Sequence, residues 1–165
     1  MNHRVEVGRG LLYTRDSEGQ SDLAPQQYVE WARRRAQVLG VTLEGTPDDM
    51  SSMIEQGISA RGDLYLDYGI SGNQLSRPGW DAFKERAIRD KTVSHLFIPR
   101  RDRIARPDNP IDAVAIEFEL RNAGLTLVML DQELGPIAVG ARIGLSDLLM
   151  SLIDFDASGK FRREL

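Results

Sequence analysis

The feature that most constrains the fold of this chain is a regular alternation of strand-like and helix-like segments. Short apolar or alternating runs are followed by longer stretches whose apolar residues recur at helical spacing. Strands that alternate with helices pair in parallel through right-handed crossovers. We therefore predict an α/β fold with three layers, α/β/α, around a mainly parallel sheet of four or five strands. The strand-like runs are LLY at 11–13, DLYLDYG at 63–69, VSHLFI at 93–98 and LTLVML at 125–130.

Residues that commonly begin and end helices mark the predicted helix boundaries. The first helix follows Pro25 and ends before Gly40. A second, shorter helix has Thr46 as its cap and Pro47 at its first position, and Gly57 ends it. The remaining helices are predicted from Pro78, from the region of Ile111 and from the region of Ser146.

The last predicted helix carries an apolar stripe formed by Leu148, Leu149, Leu152 and Ile153. Such a stripe requires burial, and we expect a second copy of the chain to cover it rather than the chain's own core. The helix runs to residue 165 without a cap or a stop signal. We therefore expect this chain to be part of a longer protein.

Three loops that follow predicted strands combine arginine with hydroxyl or acidic side chains. Ligands of open α/β sheets bind just beyond the carboxyl ends of the strands, so we expect these loops at one edge. Arginine keeps its charge and offers a planar fork of donors to phosphate oxygens, which predicts a phosphate or phosphodiester ligand. The first loop contains Arg15 and Ser17, the second Asp67, Ser71, Gly72 and Arg77, and the third Asp102, Arg103 and Arg106.

Ser17 is the predicted nucleophile of this site. Nearby guanidinium groups would stabilise both its alkoxide and the extra negative charge of a phosphoryl transition state. A single serine in a turn is more often a helix cap, so the interpretation depends on the whole set of residues. No histidine is near in sequence, which leaves Asp102, a perturbed arginine, water or the substrate to transfer the proton.

The composition excludes several classes of function. Lys and Arg number 21 against 25 Asp and Glu, and the net charge of -4 argues against indiscriminate binding to a polyanion. With no cysteine and only two histidines, His3 and His95, the chain is poorly suited to a zinc or iron centre. No run approaches the roughly 18 apolar residues of a membrane span. We expect a soluble, cytoplasmic protein.

The motifs, taken in order, resemble the catalytic domain of the serine recombinases, the family of resolvases, invertases and large serine integrases. The segment YTRDS at 13–17 is followed by DYGISG at 67–72, SRPG at 76–79 and DRIAR at 102–106. Each piece alone is common, but the ordered set is specific. The resemblance covers about residues 9 to 158.

The resemblance implies a mechanism and a set of site residues. Ser17 would attack a scissile DNA phosphate, form a phosphoserine linkage to the 5′ end and release a 3′ hydroxyl, without metal or nucleotide cofactor. Arg15, Arg103 and Arg106 match the family's arginines around the phosphate, and Arg77 matches a further one. The positions that match supporting residues are Tyr13, Gln20, Gln26, Asp67, Ser71 and Asp102.

The resemblance also implies how the chain is organised and what it binds. Residues 1–8 would be an N-terminal tail, residues 9–142 the catalytic domain with an insertion at 42–62, and residues 143–165 the start of a long oligomerisation helix. The chain would act on a DNA recombination site as a homodimer that forms a tetramer in synapsis. A separate DNA-binding region is expected after residue 165, and the expected setting is the cytoplasm of a bacterium, with the protein encoded by the host or a phage.

Two acidic residues depart from the family's pattern. Asp16 stands where the family usually has an apolar residue, and Glu18 stands where it usually has threonine. Carboxylates beside an anionic substrate would repel it unless they point away or pair with arginine. This motivates an alternative, a catalytically weakened module that retains the fold and dimerises. A nucleotide-binding protein or phosphohydrolase is a third reading, which the missing glycine-rich loop disfavours.

Overall fold

The structure is a computed structural model that describes residues 7–16, 23–69, 77–104 and 110–137, together with positions 150 and 153. The chain divides into two compact units, and the division falls between Phe97 and Ile98. The first unit contains β1 (Arg9–Asp16), α1 (Pro25–Leu39), α2 (Pro47–Gln56), β2 (Ala60–Arg61), β3 (Leu64–Tyr68), α3 (Pro78–Arg89) and β4 (Val93–Phe97).

The strands of the first unit lie in the order β2-β3-β1-β4. Strand β1 is central and pairs in parallel with β3 and with β4. This confirms the predicted α/β class and its mainly parallel sheet. Strand β2 is an addition that pairs antiparallel with β3, and the sequence did not predict it because two residues carry no periodicity.

Helices cover both faces of this sheet. On one face, Tyr13 of β1 contacts Trp80 and Phe83 of α3, with ring centroids 5.1 and 5.6 Å apart respectively. On the other face, Phe97 of β4 meets Trp31 of α1 edge to face, with centroids 5.8 Å apart. These aromatic contacts place the core of the unit in two layers, one on each side of β1.

The predicted capping residues of the first two helices act as expected. The Thr46 hydroxyl accepts a hydrogen bond of 3.1 Å from the Asp49 backbone N–H. Gly40 and Gly57 close α1 and α2 with φ values of 73° and 65°, which side chains other than glycine's rarely adopt. Helix α2 also contributes to the core, because its Met50 and Met53 are fully buried.

The second unit begins with a one-turn 3₁₀ helix (Arg101–Arg103) and continues with α4 (Pro110–Asn122), β5 (Thr126–Val128) and β6 (Glu133–Leu134). Strands β5 and β6 pair antiparallel. Strand β5 was predicted as part of LTLVML, whereas β6, again two residues long, was not. Of the predicted last helix, positions 150 and 153 are described, and both are helical and exposed.

A buried aspartate, Asp63, directly precedes β3 and binds groups from several segments of the first unit. Asp63 is 1% exposed, and its Oδ2 accepts hydrogen bonds of 2.7 Å from both Arg9 Nη1 and the Glu44 backbone N–H. Arg86 Nη2 of α3 lies 2.9 Å from the other carboxylate oxygen. The Asp63 carboxylate therefore joins β1, the segment between α1 and α2, and α3.

Replacing Asp63 should destabilise the protein strongly. Asp63→Ala leaves Arg9 and Arg86 without their shared partner, and we expect a loss of about 3–5 kcal/mol in the free energy of unfolding. Urea unfolding followed by circular dichroism measures it. Glu85→Ala, on the exposed side of α3, is the control, and a loss no larger than that of the control would contradict the role given to Asp63.

Candidate active site

The parallel pairing of β1 with β3 sets the geometry of the candidate site. In the register of the two strands, Arg15 lies opposite Asp67 and Tyr13 lies opposite Tyr65. Residues two apart in a strand share a face, so Tyr13, Arg15 and Asp67 occupy the same side of the sheet at its carboxyl end. Arg15 is 6% exposed and Asp67 is fully buried. A charged pair of residues is thus held inside the protein where a strand ends.

The Asp67 carboxylate accepts three hydrogen bonds from two different elements. The Tyr13 hydroxyl of β1 donates one of 2.8 Å. The backbone N–H groups of Gly79 and Trp80 donate the other two, at 2.9 and 3.0 Å. These N–H groups belong to the first turn of α3, where helices lack internal acceptors and favour negative charge. Asp67 therefore caps α3 from the neighbouring strand.

Gly79 allows α3 to approach β3 closely enough for this cap. A Cβ atom at position 79 would lie 2.5 Å from the backbone oxygen of Leu66 and 3.1 Å from the Asp67 carboxyl carbon. Since the nearest atom belongs to the backbone, it cannot rotate away. The first turn of α3 therefore requires glycine at this position.

The same contact positions Arg77, the residue that immediately precedes α3. Its backbone carbonyl accepts a hydrogen bond of 2.9 Å from the Asp81 N–H, within the first turn of the helix. Its guanidinium lies over the Trp80 ring, 5.3 Å from the centroid. Because Asp67 fixes this turn, it also fixes where the Arg77 side chain begins.

The pKa of the Tyr13 hydroxyl depends on its burial and on the charged residues around it. Burial raises the pKa of the Tyr13 hydroxyl well above its ordinary value, and the negative charge of Asp67 and its hydrogen bond raise it further. The positive charges of Arg77 and Arg15 lower the pKa of the same hydroxyl. The geometry agrees, because Arg15 lies opposite Asp67 in the sheet and the Arg77 guanidinium lies over the Trp80 ring, which itself contacts Tyr13. The structure thus brings together four predicted site residues: Tyr13, Arg15, Asp67 and Arg77.

The third predicted loop belongs to the second unit. Arg103 lies in the one-turn 3₁₀ helix and is 6% exposed. The backbone of Asp102 belongs to the same turn. The sequence reasoning missed that Arg101, just before them, forms a paired hydrogen bond with Glu117 of α4. No local pattern indicates a contact between residues 16 positions apart.

The other predicted site residues are placed elsewhere or are not described. Gln26 lies at the start of α1, where its Nε2 donates a hydrogen bond of 3.1 Å to the Ser51 hydroxyl of α2. Its expected support of the site stays a prediction. Five predicted residues lie outside the described part of the chain: Ser17, Gln20, Ser71, Gly72 and Arg106.

Neither a metal site nor a membrane-spanning helix is found among the described residues. None of the described His, Cys, Asp and Glu side chains form a group of three or more that could hold a metal ion. Within the same residues, no helix combines the length and apolar character needed to cross a bilayer.

Comparison with known proteins identifies the family. Residues 41–142 match the family model described as Resolvase, N terminal domain, which is more than half of the chain. The chain belongs to the resolvase family. Membership implies DNA recombinase activity, DNA binding and oligomerisation in general terms. The search of curated proteins found no match.

The matched resolvase segment contains the second and third predicted loops but not the first. Asp67, Arg77 and Arg103 lie within it, whereas Tyr13, Arg15 and Ser17 precede it. The structure connects Tyr13 and Arg15 to the matched segment, because β1 places both residues beside Asp67.

Tyr13 should make the stability of the protein fall at high pH. Because its pKa is raised in the folded state, the stabilisation is complete below the ordinary tyrosine value of about 10 and is lost above it. We expect an added loss of up to about 1.4 kcal/mol per pH unit in the free energy of unfolding. Tyr13→Phe should remove this slope in urea unfolding across that pH range.

The control for Tyr13→Phe is Tyr68→Phe, at the half-exposed end of β3. At neutral pH, Tyr13→Phe should also cost about 1.5–3 kcal/mol, since it removes a hydrogen bond to a buried carboxylate. Tyr68→Phe should keep the wild-type slope, and a slope that persists in Tyr13→Phe would overturn the assignment.

Gly79→Ala should destabilise the protein through its contact with Leu66. Overpacking of this kind costs about 1–3 kcal/mol, and the backbone acceptor leaves little room for relaxation. Thermal and urea unfolding measure the loss. Gly135→Ala is the matched control, because no atom lies within 4 Å of a Cβ built there. Equal stability of the two variants would contradict the proposed close approach.

Proposed function

We propose that this resolvase-family chain cleaves and rejoins DNA strands with Ser17 as its nucleophile. The observation that carries the proposal is the buried Arg15, held beside Asp67 at the end of β1, two residues before Ser17. A guanidinium fixed at that place is suited to the charge of a phosphodiester under attack. The family match supports DNA as the substrate.

The proposed reaction conserves the number of phosphoester bonds. The Ser17 hydroxyl oxygen attacks the scissile phosphorus, and its proton passes to a base. The bond from phosphorus to the 3′ oxygen breaks, and that oxygen takes up a proton as the 3′ hydroxyl. The 5′ phosphate remains on Ser17 until a 3′ hydroxyl attacks it and releases the serine. Each step exchanges one ester for another, so rejoining needs no external energy source.

The arginines are assigned to the phosphate, and the Tyr13–Asp67 pair to positioning. Arg15 and Arg77 would stabilise the charge that develops on the phosphoryl oxygens. The motif match assigns the same role to Arg103 and Arg106. Asp67 already accepts three hydrogen bonds, one of them from Tyr13. Since both groups are engaged, proton transfer is left to Asp102, an arginine with a perturbed pKa, water or the substrate.

The position of Asp16 removes one of the two reasons for a weakened assembly module, while Glu18, the other reason, lies outside the described residues. Asp16 follows Arg15 in β1, and its register partner is Tyr68. Consecutive strand residues point to opposite faces, so the Asp16 carboxylate leaves the sheet on the side away from Arg15. Its charge is therefore not directed at the phosphate position that Arg15 defines.

The remaining partners belong to the same proposal. The chain would work as a homodimer, pair two dimers into a tetramer in synapsis, and use a DNA-binding region after residue 165. The proposed setting is the cytoplasm of a bacterium. The proposal covers integration, inversion, resolution and transposition alike, since each would use this chemistry.

Ser17→Ala should abolish a covalent protein–DNA adduct. The probe is a pool of random-sequence duplex oligonucleotides, each nicked near the middle so that cleavage cannot be reversed, incubated in EDTA with protein that contains this chain and the DNA-binding region proposed after residue 165. In denaturing gels, wild-type protein should retain the 3′-labelled strand but not the 5′-labelled strand, because the serine joins the 5′ phosphate. Ser59→Ala is the control and should form the adduct normally.

The outcomes of this assay separate the parts of the proposal. An adduct that survives in Ser17→Ala would remove Ser17 from the mechanism. Retention of the 5′ label would reverse the proposed polarity, and absence of any adduct with wild-type protein would contradict strand cleavage. Arg15→Gln should slow adduct formation by about 10²–10³-fold, whereas Arg34→Gln, on the exposed side of α1, should not.

A further inference from the structure

The second unit contains a buried ion pair that the proposed mechanism does not use. Arg101 Nε donates a hydrogen bond of 2.7 Å to Glu117 Oε2, and Arg101 Nη2 donates one of 2.8 Å to Glu117 Oε1. The two side chains are 9% and 3% exposed. The contact is thus a two-point fork between the 3₁₀ turn and α4, shielded from water.

The same short turn carries Arg103. The Arg103 backbone N–H donates to the Arg100 oxygen at 3.0 Å, and the Ile104 N–H donates to the Arg101 oxygen at 3.2 Å. Ile104 is fully buried directly after the turn. These two hydrogen bonds make the backbone from Arg101 to Ile104 one hydrogen-bonded turn, so a contact that holds Arg101 also restrains the backbone of Arg103.

A contribution to stability does not by itself explain why the buried Arg101–Glu117 ion pair is present. Burying two charges has a high desolvation cost, and apolar residues of similar volume often serve stability equally well. A planar fork adds direction, because both hydrogen bonds hold only at one orientation of the guanidinium. The pair therefore suits a turn whose orientation matters.

We propose that Glu117 is a positioning residue that acts through Arg101 to set the place of Arg103. The inference rests on the proposed function in one respect, namely that Arg103 contacts the DNA phosphate. Glu117 itself touches no substrate. Its role is to hold the 3₁₀ turn so that the Arg103 guanidinium is presented with little freedom, since small displacements of such groups reduce rates strongly.

The first test asks whether Glu117 holds the turn, and it does not depend on activity. Trypsin can cut the Arg103–Ile104 bond only when the turn opens locally. Glu117→Gln should speed cleavage at this bond at least about tenfold, followed by mass spectrometry. Glu119→Gln, the same change on the exposed side of α4, should match the wild type. Equal cleavage in all three proteins would overturn the proposal.

The second test asks whether the effect reaches the reaction through Arg103. Glu117→Gln should slow adduct formation by about 10–100-fold, as is usual when the support of a site residue is lost. Binding of the duplex pool should change less than about threefold. In an Arg103→Lys background, the same substitution should have little further effect, because residues that act as a unit are not additive. A full additional loss there would show a structural role unrelated to Arg103.

A double variant separates positioning from folding. Arg101→Met/Glu117→Met replaces the pair by apolar side chains of similar length, which should keep the unit folded. If the Arg101–Glu117 pair positions Arg103, the double variant should form the adduct slowly although its thermal stability matches that of the wild type. Wild-type values of both the adduct rate and the thermal stability would refute the proposal. If wild-type protein forms no adduct, the proposed function fails, and trypsin still decides whether Glu117 holds the turn.

Discussion

The first unit depends on the Asp67 carboxylate, which lies on β3 and also caps α3. Asp67, the last residue but one of β3, lies inside the protein, where an unpaired charge would be prohibitively costly. The Tyr13 hydroxyl and the N-terminal N–H groups of α3 supply its partners. A strand end, a neighbouring strand and a helix start are thereby fixed relative to each other. Gly79 makes the contact possible, since any side chain there would separate α3 from β3.

A second buried aspartate precedes the same strand, and the two differ in what satisfies them. Asp63 binds the charged side chains of Arg9 and Arg86. Asp67 is held by a hydroxyl and by backbone groups. The first arrangement joins three segments of the fold at the amino end of β3. The second leaves the carboxyl end organised around a helix terminus, which is where open α/β sheets bind their ligands.

The fold class and part of the site follow from local patterns in the sequence. The alternation of apolar runs with helical periodicity is sufficient for a mainly parallel sheet, and Thr46, Gly40 and Gly57 mark helix ends because each has a local role. The strands β2 and β6 could not be predicted, since two residues show no period. Of the predicted site residues, the structure places Tyr13 and Arg15 beside Asp67 and begins α3 directly after Arg77. Their roles in catalysis stay a prediction.

The sequence by itself determined where strands and helices lie and which residue types follow each strand. Strand and helix periodicity and the chemistry of arginine are local properties, so short stretches of sequence reveal them. Only the tertiary structure decided what those residues do to each other. Packing of α3 on β3 made Asp67 the cap of α3, and the register of β1 on β3 placed Arg15 beside it. Packing of α4 on the 3₁₀ turn joined Arg101 to Glu117. Such contacts join residues far apart in the chain, and no short pattern records them.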